Sequence, residues 1–358
     1  MNDNIKGFTN NNDSTIIISG PCSAETESQL LLTAQQLKER ITINYFRAGI
    51  WKPRTKPGMF EGVGQIGLSW LQRVKKEIGL KSIVEVANPQ HVEQILKHGI
   101  DACWIGARTS VSPFAVQEIA ESLKGVNIPV FIKNPVNPDL ELWSGALERF
   151  IKSEISEIRL IHRGFSSSVF SEFRNPPMWQ LAIEMKRRFP HIPLLCDPSH
   201  ICGNRNFLKE IAQKSIDLDY DGLMLESHVD PDNAWSDAKQ QITPSELASL
   251  LNSLIWRKAS AEEPASMVEL RKIRENIDYI DDELIELLAQ RMQLSDQIGA
   301  LKRQNNITIL QTERWNNMLL RLEKKALQRG LSKDFFKKYF EAVHFESINH
   351  QNNVMNEN

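Results

Sequence analysis

What this chain of 358 residues has little of is informative. No apolar run approaches the ~20 residues that a membrane span needs, so no transmembrane helix is expected. The first thirteen residues, MNDNIKGFTNNND, lack the apolar core of a signal peptide, which favours a cytoplasmic location. Neither sign of charge dominates. Lys and Arg number 43 and Asp and Glu 45, a net charge of −2, so electrostatics supply no reason to expect nucleic acid or an anionic membrane as a partner. Cysteine occurs only at 22, 103, 196 and 202. In a long chain without a secretion signal these read as reduced thiols rather than a disulfide framework. Cys103 in ACWIGA and Cys196 in PLLCDPSH read as packing residues, and Cys202 has no evident partner. Proline is absent after Pro264, and only Gly299 and Gly330 follow it among seventeen glycines.

That last absence divides the chain. The small, polar stretch Ala259–Ser266 suits a linker, so residues 1–257 form one domain, 258–267 the linker and 268–358 a second domain. In the first, eight short strand-like runs alternate with amphipathic segments: TIIIS (15–19), NYFRA (44–48), SIVEV (82–86), ACWIG (102–106), PVFIK (129–133), IRLIH (158–162), IPLLC (192–196) and GLMLE (222–226). Eight strand–helix units in about 245 residues match a (β/α)8 barrel, with an open doubly wound sheet as the competing architecture. In the second domain, Leu270, Ile273, Ile277, Ile280, Leu284, Leu287, Leu288, Leu294, Ile298 and Leu301 recur at helical spacing. One helix of about thirty residues or more is expected, with two more near 313–328 and 333–350. A thin three-helix unit has an apolar face that a second chain would cover, so a homodimer through this domain is expected.

In a (β/α)8 barrel chemistry sits where the strands end. Those ends read Gly20-Pro21-Cys22-Ser23, Lys52-Pro53-Arg54-Thr55, Glu85, Arg108, Lys133-Asn134, His162-Arg163-Gly164, Asp197-Pro198-Ser199-His200, and Glu226-Ser227-His228 with Asp237 beyond. Loop starts are often polar, and for any one strand that is explanation enough; for all eight it is not. Two chemical sets emerge. Cys22, His200, Glu226 and Asp237 offer sulfur, nitrogen and two carboxylates, a mixture suited to a divalent transition metal rather than to magnesium or calcium. Lys52, Arg54, Arg108, Lys133 and Arg163 are cations that an anionic substrate would neutralise, and arginine forks onto phosphate or carboxylate. Lys75-Lys76 and Arg187-Arg188, on helices, read as solvated charge. Metal-assisted chemistry on phosphorylated small anions follows.

The motifs GPCS, KPRT, IGAR, IK, RG, DPSH and LES followed by SDAKQQ resemble the 3-deoxy-D-arabino-heptulosonate 7-phosphate (DAHP) synthases of the short barrel type over roughly residues 14–257. The resemblance implies condensation of phosphoenolpyruvate with erythrose 4-phosphate in the shikimate pathway. It implies a divalent metal (Mn, Fe, Co or Zn) on Cys22, His200, Glu226 and Asp237, and no organic cofactor. Arg108, Lys133 and Arg163 would bind the phosphate of phosphoenolpyruvate, Lys52 its carboxylate, and Arg54 and Thr55 the phosphate of erythrose 4-phosphate. Cys22, Lys52 and His200 would be catalytic. Lys56 stands where serine is common, and His162 where glutamate is common; His162 is expected to be a polar rim residue. The related 3-deoxy-D-manno-octulosonate 8-phosphate synthases, which use arabinose 5-phosphate, normally read KANRT at strand two instead of KPRT.

In the tail, Arg291 and Lys302 are eleven residues apart and return to nearly the same helix face. Arg274, seventeen residues before Arg291, lies ~25 Å away along the helix and would reach only a partner's site. Arg271, Lys272 and Lys324-Lys325 read as solvated. The run IRENIDYIDDELIELLAQR followed by IGALK resembles the all-helical chorismate mutases over about 268–350. This implies a dimer with shared sites, in which Arg274 (from the other subunit), Arg291, Lys302 and Arg314 hold chorismate for rearrangement to prephenate. Gln311 and Trp315 stand where the family has aspartate and a substrate-contacting glutamate, which raises the alternative of a weakly catalytic sensor or dimerisation domain. Glu341 falls where glutamine often lies. Facing the ether oxygen it would have to be protonated, so mutase activity should fall as pH rises and Glu341→Gln should flatten the profile. Prephenate feedback on the barrel is a further expectation from the fusion.

Overall fold

The computed structural model describes residues 15–52, 58, 60–257 and 264–356. Arg54, Thr55 and Lys56 lie outside the described residues. The chain divides into two compact units, Met1–Ala259 and Ser260–Asn358.

The first unit has eight parallel strands: β1 (Ile16–Gly20), β2 (Tyr45–Arg47), β3 (Ser82–Val86), β4 (Ala102–Ile105), β5 (Val130–Lys133), β6 (Ile158–His162), β7 (Leu194–Cys196) and β8 (Gly222–Glu226). They close in sequence order into a barrel, β8 pairing with β1 through Ile16↔Gly222 to Gly20↔Glu226. Closure settles the competition with an open sheet. Helices α1 (Glu27–Arg40), α2 (Ile66–Arg73), α3 (Pro89–Lys97), α4 (Pro113–Ser122), α5 (Leu140–Lys152), α6 (Trp179–Arg188), α7 (Pro198–Cys202), α8 (Leu208–Asp217) and α9 (Pro244–Asn252) follow in chain order. Their starts are written in the sequence. Thr26, Asn88, Ser112, Asp139 and Thr243 each accept a backbone N–H of the first turn, with Pro at the first helical position of α3, α4 and α9.

Because both faces of the barrel are covered, its strands are apolar runs rather than alternating ones. The period of two still sorts them. Ile18, Ile83, Ala102, Trp104, Phe131, Ile161, Leu195 and Met224 fill the barrel interior. Their neighbours Ile17, Val84, Cys103, Ile132, Leu160, Cys196 and Leu225 belong to the larger core under the helices. One further step of two along the inward column reaches Arg47 from Tyr45, Glu85 from Ile83, Lys133 from Phe131, Arg163 from Ile161, Asp197 from Leu195 and Glu226 from Met224. The same rule that packs the interior therefore delivers ionisable groups to the mouth.

The second unit consists of α10 (Pro264–Gln304, 41 residues), α11 (Thr312–Gln328) and α12 (Lys333–Asn356). Phe336, Val343, Ser347 and Gln351 of α12 are buried, with Ser295 and Lys302 of α10. Ile273, Ile277, Ile280, Leu287, Leu294, Ile298 and Leu301 are exposed, so the apolar stripe of α10 is uncovered in the single chain. Among the described residues no helix is long and apolar enough to cross a membrane.

Candidate active sites

At the barrel mouth, β7 ends in Asp197-Pro198-Ser199-His200. Asp197 caps the single-turn α7, accepting from the His200 N–H at 3.1 Å, with Pro198 at the first helical position. This folds the imidazole back so that Nδ1 lies 3.0 Å from Asp197 Oδ1. A carboxylate takes a hydrogen bond from Nδ1–H, which leaves Nε2 with its lone pair, 3.8 Å from Glu226 Oε1. Burial pushes the His200 pKa down, so the ring is neutral. Asp197 also accepts from Lys133 Nζ at 2.8 Å. Burial pushes the Asp197 carboxyl up, but His200 and Lys133 outweigh it and hold it well below the usual range.

Glu226, fully buried, pairs with Arg47 at 3.0 Å, and its Oε2 accepts from Gln240 Nε2 at 2.7 Å. Burial raises its pKa, but the Arg47 and Lys52 charges reverse the shift and keep it ionised. Cys22 Sγ lies 3.3 Å from Asp237 Oδ2 and 2.6 Å from Lys52 Nζ. Burial, then the Glu226 charge, pushes the Cys22 thiol up to about 12. Asp237 pairs with Arg174 at 2.9 Å and is held below the carboxylate range: burial raises it, and Arg174 and Lys52 overcome that.

The four residues expected to hold a metal thus converge as two pairs, Cys22 with Asp237 and His200 with Glu226. Among the described residues no three His, Cys, Asp or Glu side chains form a ready-made metal cage. The donor chemistry nevertheless fits one. His200 presents its bare Nε2 3.8 Å from Glu226 Oε1, a buried carboxylate oxygen kept charged beside the Arg47 guanidinium. Of the expected cations, Lys52, Lys133 and Arg163 line this mouth. Arg163 is half-buried, and desolvation, with Arg174 and Arg108 nearby, brings its pKa down to about 10. Arg108 is exposed. Arg47 and Arg174 are partners that strand-end reading missed. Arg47 lies within β2 rather than after it, two residues beyond the inward Tyr45, which is the signal that could have found it. Arg174 sits in a long loop and carries no such signal.

His162 departs from expectation. It is buried, not on the rim. Leu160 packs under the helices, and the period of two puts His162 on that outer side and only Arg163 at the mouth.

In the helical unit, Arg291 donates to Ser347 Oγ and, at 3.4 Å, to the Val343 carbonyl. Lys302 Nζ donates to Gln351 Oε1 at 2.9 Å. Both cations therefore face the same side of α12, on successive turns. His344 turns toward them, its pKa lowered by burial and by Arg291 and Lys302, and stacks on Trp315 at 3.7 Å. Gln311, Arg314 and Arg274 are exposed and not brought to this cluster within one chain. Nor is Glu341. It is exposed and lies 3.9 Å from Lys337. The inward residues of α12 step 336, 343, 347, 351, a stripe that excludes 341. Gln351 is the amide that meets Lys302, and Ser347 and His344 were not anticipated.

A closed (β/α)8 barrel with a thiol, an imidazole, carboxylates and cations at its strand ends has the make-up of an enzyme mouth for small anions, and the helical unit carries a second, cationic cluster. Residues 2–261 match the DAHP synthetase I family, to which the chain belongs, and residues 273–352 match the chorismate mutase type II family. Over 226 residues, 63% of this chain, it is 30% identical to phospho-2-dehydro-3-deoxyheptonate aldolase of Thermotoga maritima, of which it spans 64%. The 2-dehydro-3-deoxyphosphooctonate aldolase of Wolinella succinogenes is 26% identical over 67% of this chain and 98% of its own length. The crystal structure of the Thermotoga maritima enzyme superimposes with a TM-score of 0.60 at 28% identity, covering 66% of this chain and 67% of that one.

Proposed function

We propose that the barrel condenses phosphoenolpyruvate with erythrose 4-phosphate and water, giving DAHP and phosphate, and that the helical unit rearranges chorismate to prephenate. The observation that carries the first assignment is the mouth itself, where a neutral imidazole with a bare Nε2, a buried carboxylate held ionised by Arg47, and the cations Lys52, Lys133 and Arg163 converge. The barrel's family is generally metal-dependent. Cys22, His200, Glu226 and Asp237 are the residues that would hold a divalent transition metal, which when bound polarises the aldehyde of the acceptor. Lys133, Arg163 and Arg108 bind the phosphate of phosphoenolpyruvate, and Lys52 its carboxylate. Arg54 and Thr55 hold the acceptor's phosphate. Asp197 keeps His200 in one tautomer, and Arg47 keeps Glu226 ionised. Held face to face, the enol carbon bonds to the aldehyde carbon, water adds to the resulting cationic centre, and phosphate leaves. Arabinose 5-phosphate as acceptor is the weaker reading, since KPRT stands at strand two.

In the mutase, Arg291 and Lys302 hold the carboxylate and ether oxygen, with Gln351 in the place expected of Glu341. No nucleophile is needed, only a fixed conformer and charge stabilisation. A homodimer covers the exposed stripe of α10 and lets Arg274 reach the partner's site. Trp315 stacked on His344 favours a second reading, a helical unit that binds chorismate but turns it over weakly. Loss of phosphoenolpyruvate by metal-stripped and metal-restored protein tests the barrel. Loss only with metal and erythrose 4-phosphate supports it, and preference for arabinose 5-phosphate, or indifference to metal, overturns it. Chorismate turnover against binding without turnover separates the two readings of the tail.

A further inference from the structure

His162 is a buried, polar side chain that the chemistry above does not use. Its Nε2 lies 2.6 Å from the Pro177 carbonyl oxygen. A carbonyl only accepts, so Nε2 carries the proton. Nδ1 is then bare, and it accepts from Tyr220 Oη at 2.9 Å. Trp179, Phe165 and Trp143 rings surround the imidazole at 5.3, 5.7 and 6.3 Å. Burial brings its pKa down to about 4, in keeping with a neutral ring.

Pro177 ends the segment that begins at Arg163, and both ends of that segment touch the barrel mouth. At its start, Arg163 N donates to Asn134 Oδ1 at 2.7 Å and Asn134 Nδ2 donates to the Gly164 carbonyl at 2.7 Å. Gly164 has φ +78° and no room for a Cβ, which would overlap the Asn175 carbonyl. At its end, Phe165 N donates to the Pro176 carbonyl at 2.9 Å, drawing the two ends together. Asn175 Nδ2 donates to the His200 carbonyl at 2.6 Å, and Arg174 reaches Asp237. A long stretch without helix or strand is thus pinned at its base, and the imidazole is the side-chain pin that joins the Pro177 end to the end of β6.

We propose that His162 is a positioning residue: as its Nε2–H tautomer, set by the Pro177 carbonyl and supported by Tyr220, it clamps the base of the 163–177 loop and so aims Arg163 at the substrate phosphate. The role of Arg163 rests on the function proposed above; the clamp itself does not. The clamp asks for one donor and one acceptor about an imidazole's width apart. A glutamine supplies both and an alanine neither.

The test compares wild type, His162→Ala, His162→Gln and Tyr220→Phe. Amide hydrogen exchange over 163–177 is read beside binding of inorganic phosphate by calorimetry. In His162→Ala the loop amides should exchange at least about tenfold faster and phosphate should bind about tenfold more weakly, while His162→Gln stays within about threefold of wild type in both. If the alanine variant does not fold, Tyr220→Phe, which removes only the Nδ1 partner, should still speed exchange in the same segment. Unchanged exchange in a folded His162→Ala or Tyr220→Phe protein overturns the clamp, as does a glutamine variant no better than alanine. Faster exchange with unchanged phosphate binding overturns the aiming of Arg163. Wild type that binds no phosphate would instead refute the substrate assignment, with the exchange data still deciding the clamp.

Discussion

The ammonium of Lys52 lies 2.6 Å from the sulfur of Cys22, yet the thiol is held protonated. Burial and the neighbouring Glu226 outweigh the cation and carry Cys22 up to about 12. In metal-stripped protein, iodoacetamide labelling of Cys22 should therefore be slow at neutral pH and rise roughly tenfold per pH unit without levelling off below about pH 10. A plateau near the ordinary thiol pKa of ~8.5 would contradict this.

Arg47 and Glu226 form a buried ion pair at 3.0 Å. Arg47→Met leaves Glu226 buried and uncompensated, and should cost about 3–5 kcal/mol in denaturant unfolding. The sign with pH follows from Glu226, whose folded pKa lies below its ordinary value. The stabilisation is present above the ordinary carboxylate pKa and is lost as pH falls through the lower folded value. The difference between wild type and variant should shrink in acid; a constant difference would refute the pairing.

Gln351, not Glu341, meets Lys302. Gln351→Ala should lower the kcat/KM of chorismate rearrangement by about ten- to a hundredfold. Glu341→Gln should leave the pH profile of that reaction unchanged. The reverse pattern would return Glu341 to the site.

The exposed Ile273, Ile277 and Ile280 predict self-association. Sedimentation should show a dimer, and Ile277→Lys with Ile280→Lys should shift it to monomer while the barrel activity survives. A wild-type monomer at micromolar concentration would remove the partner-donated Arg274.

Prephenate should inhibit the synthase in the full chain and lose that effect when residues 258–358 are removed. Equal inhibition in both proteins would place the regulatory ligand on the barrel.

Much of this architecture is legible in one dimension because it depends on local rules. Eight apolar runs separated by helical segments specify eight strand–helix units, and Asn88-Pro89, Ser112-Pro113 and Thr243-Pro244 announce helix starts through capping chemistry. Strand ends then locate Cys22, Lys133, Arg163, His200 and Glu226. The inward column, two residues at a time, also contained Arg47 and separated Arg163 from His162. Tertiary structure alone decided the rest. Arg174 reaches Asp237 across 63 residues, and Lys133 reaches Asp197 across 64. Gln351 rather than Glu341 faces Lys302, because the rotation of α12 is set by packing on α10. Periodicity says which residues share a face; only closure of the barrel and docking of the helices says what that face meets, since long-range partners are chosen by packing and not by spacing along the chain.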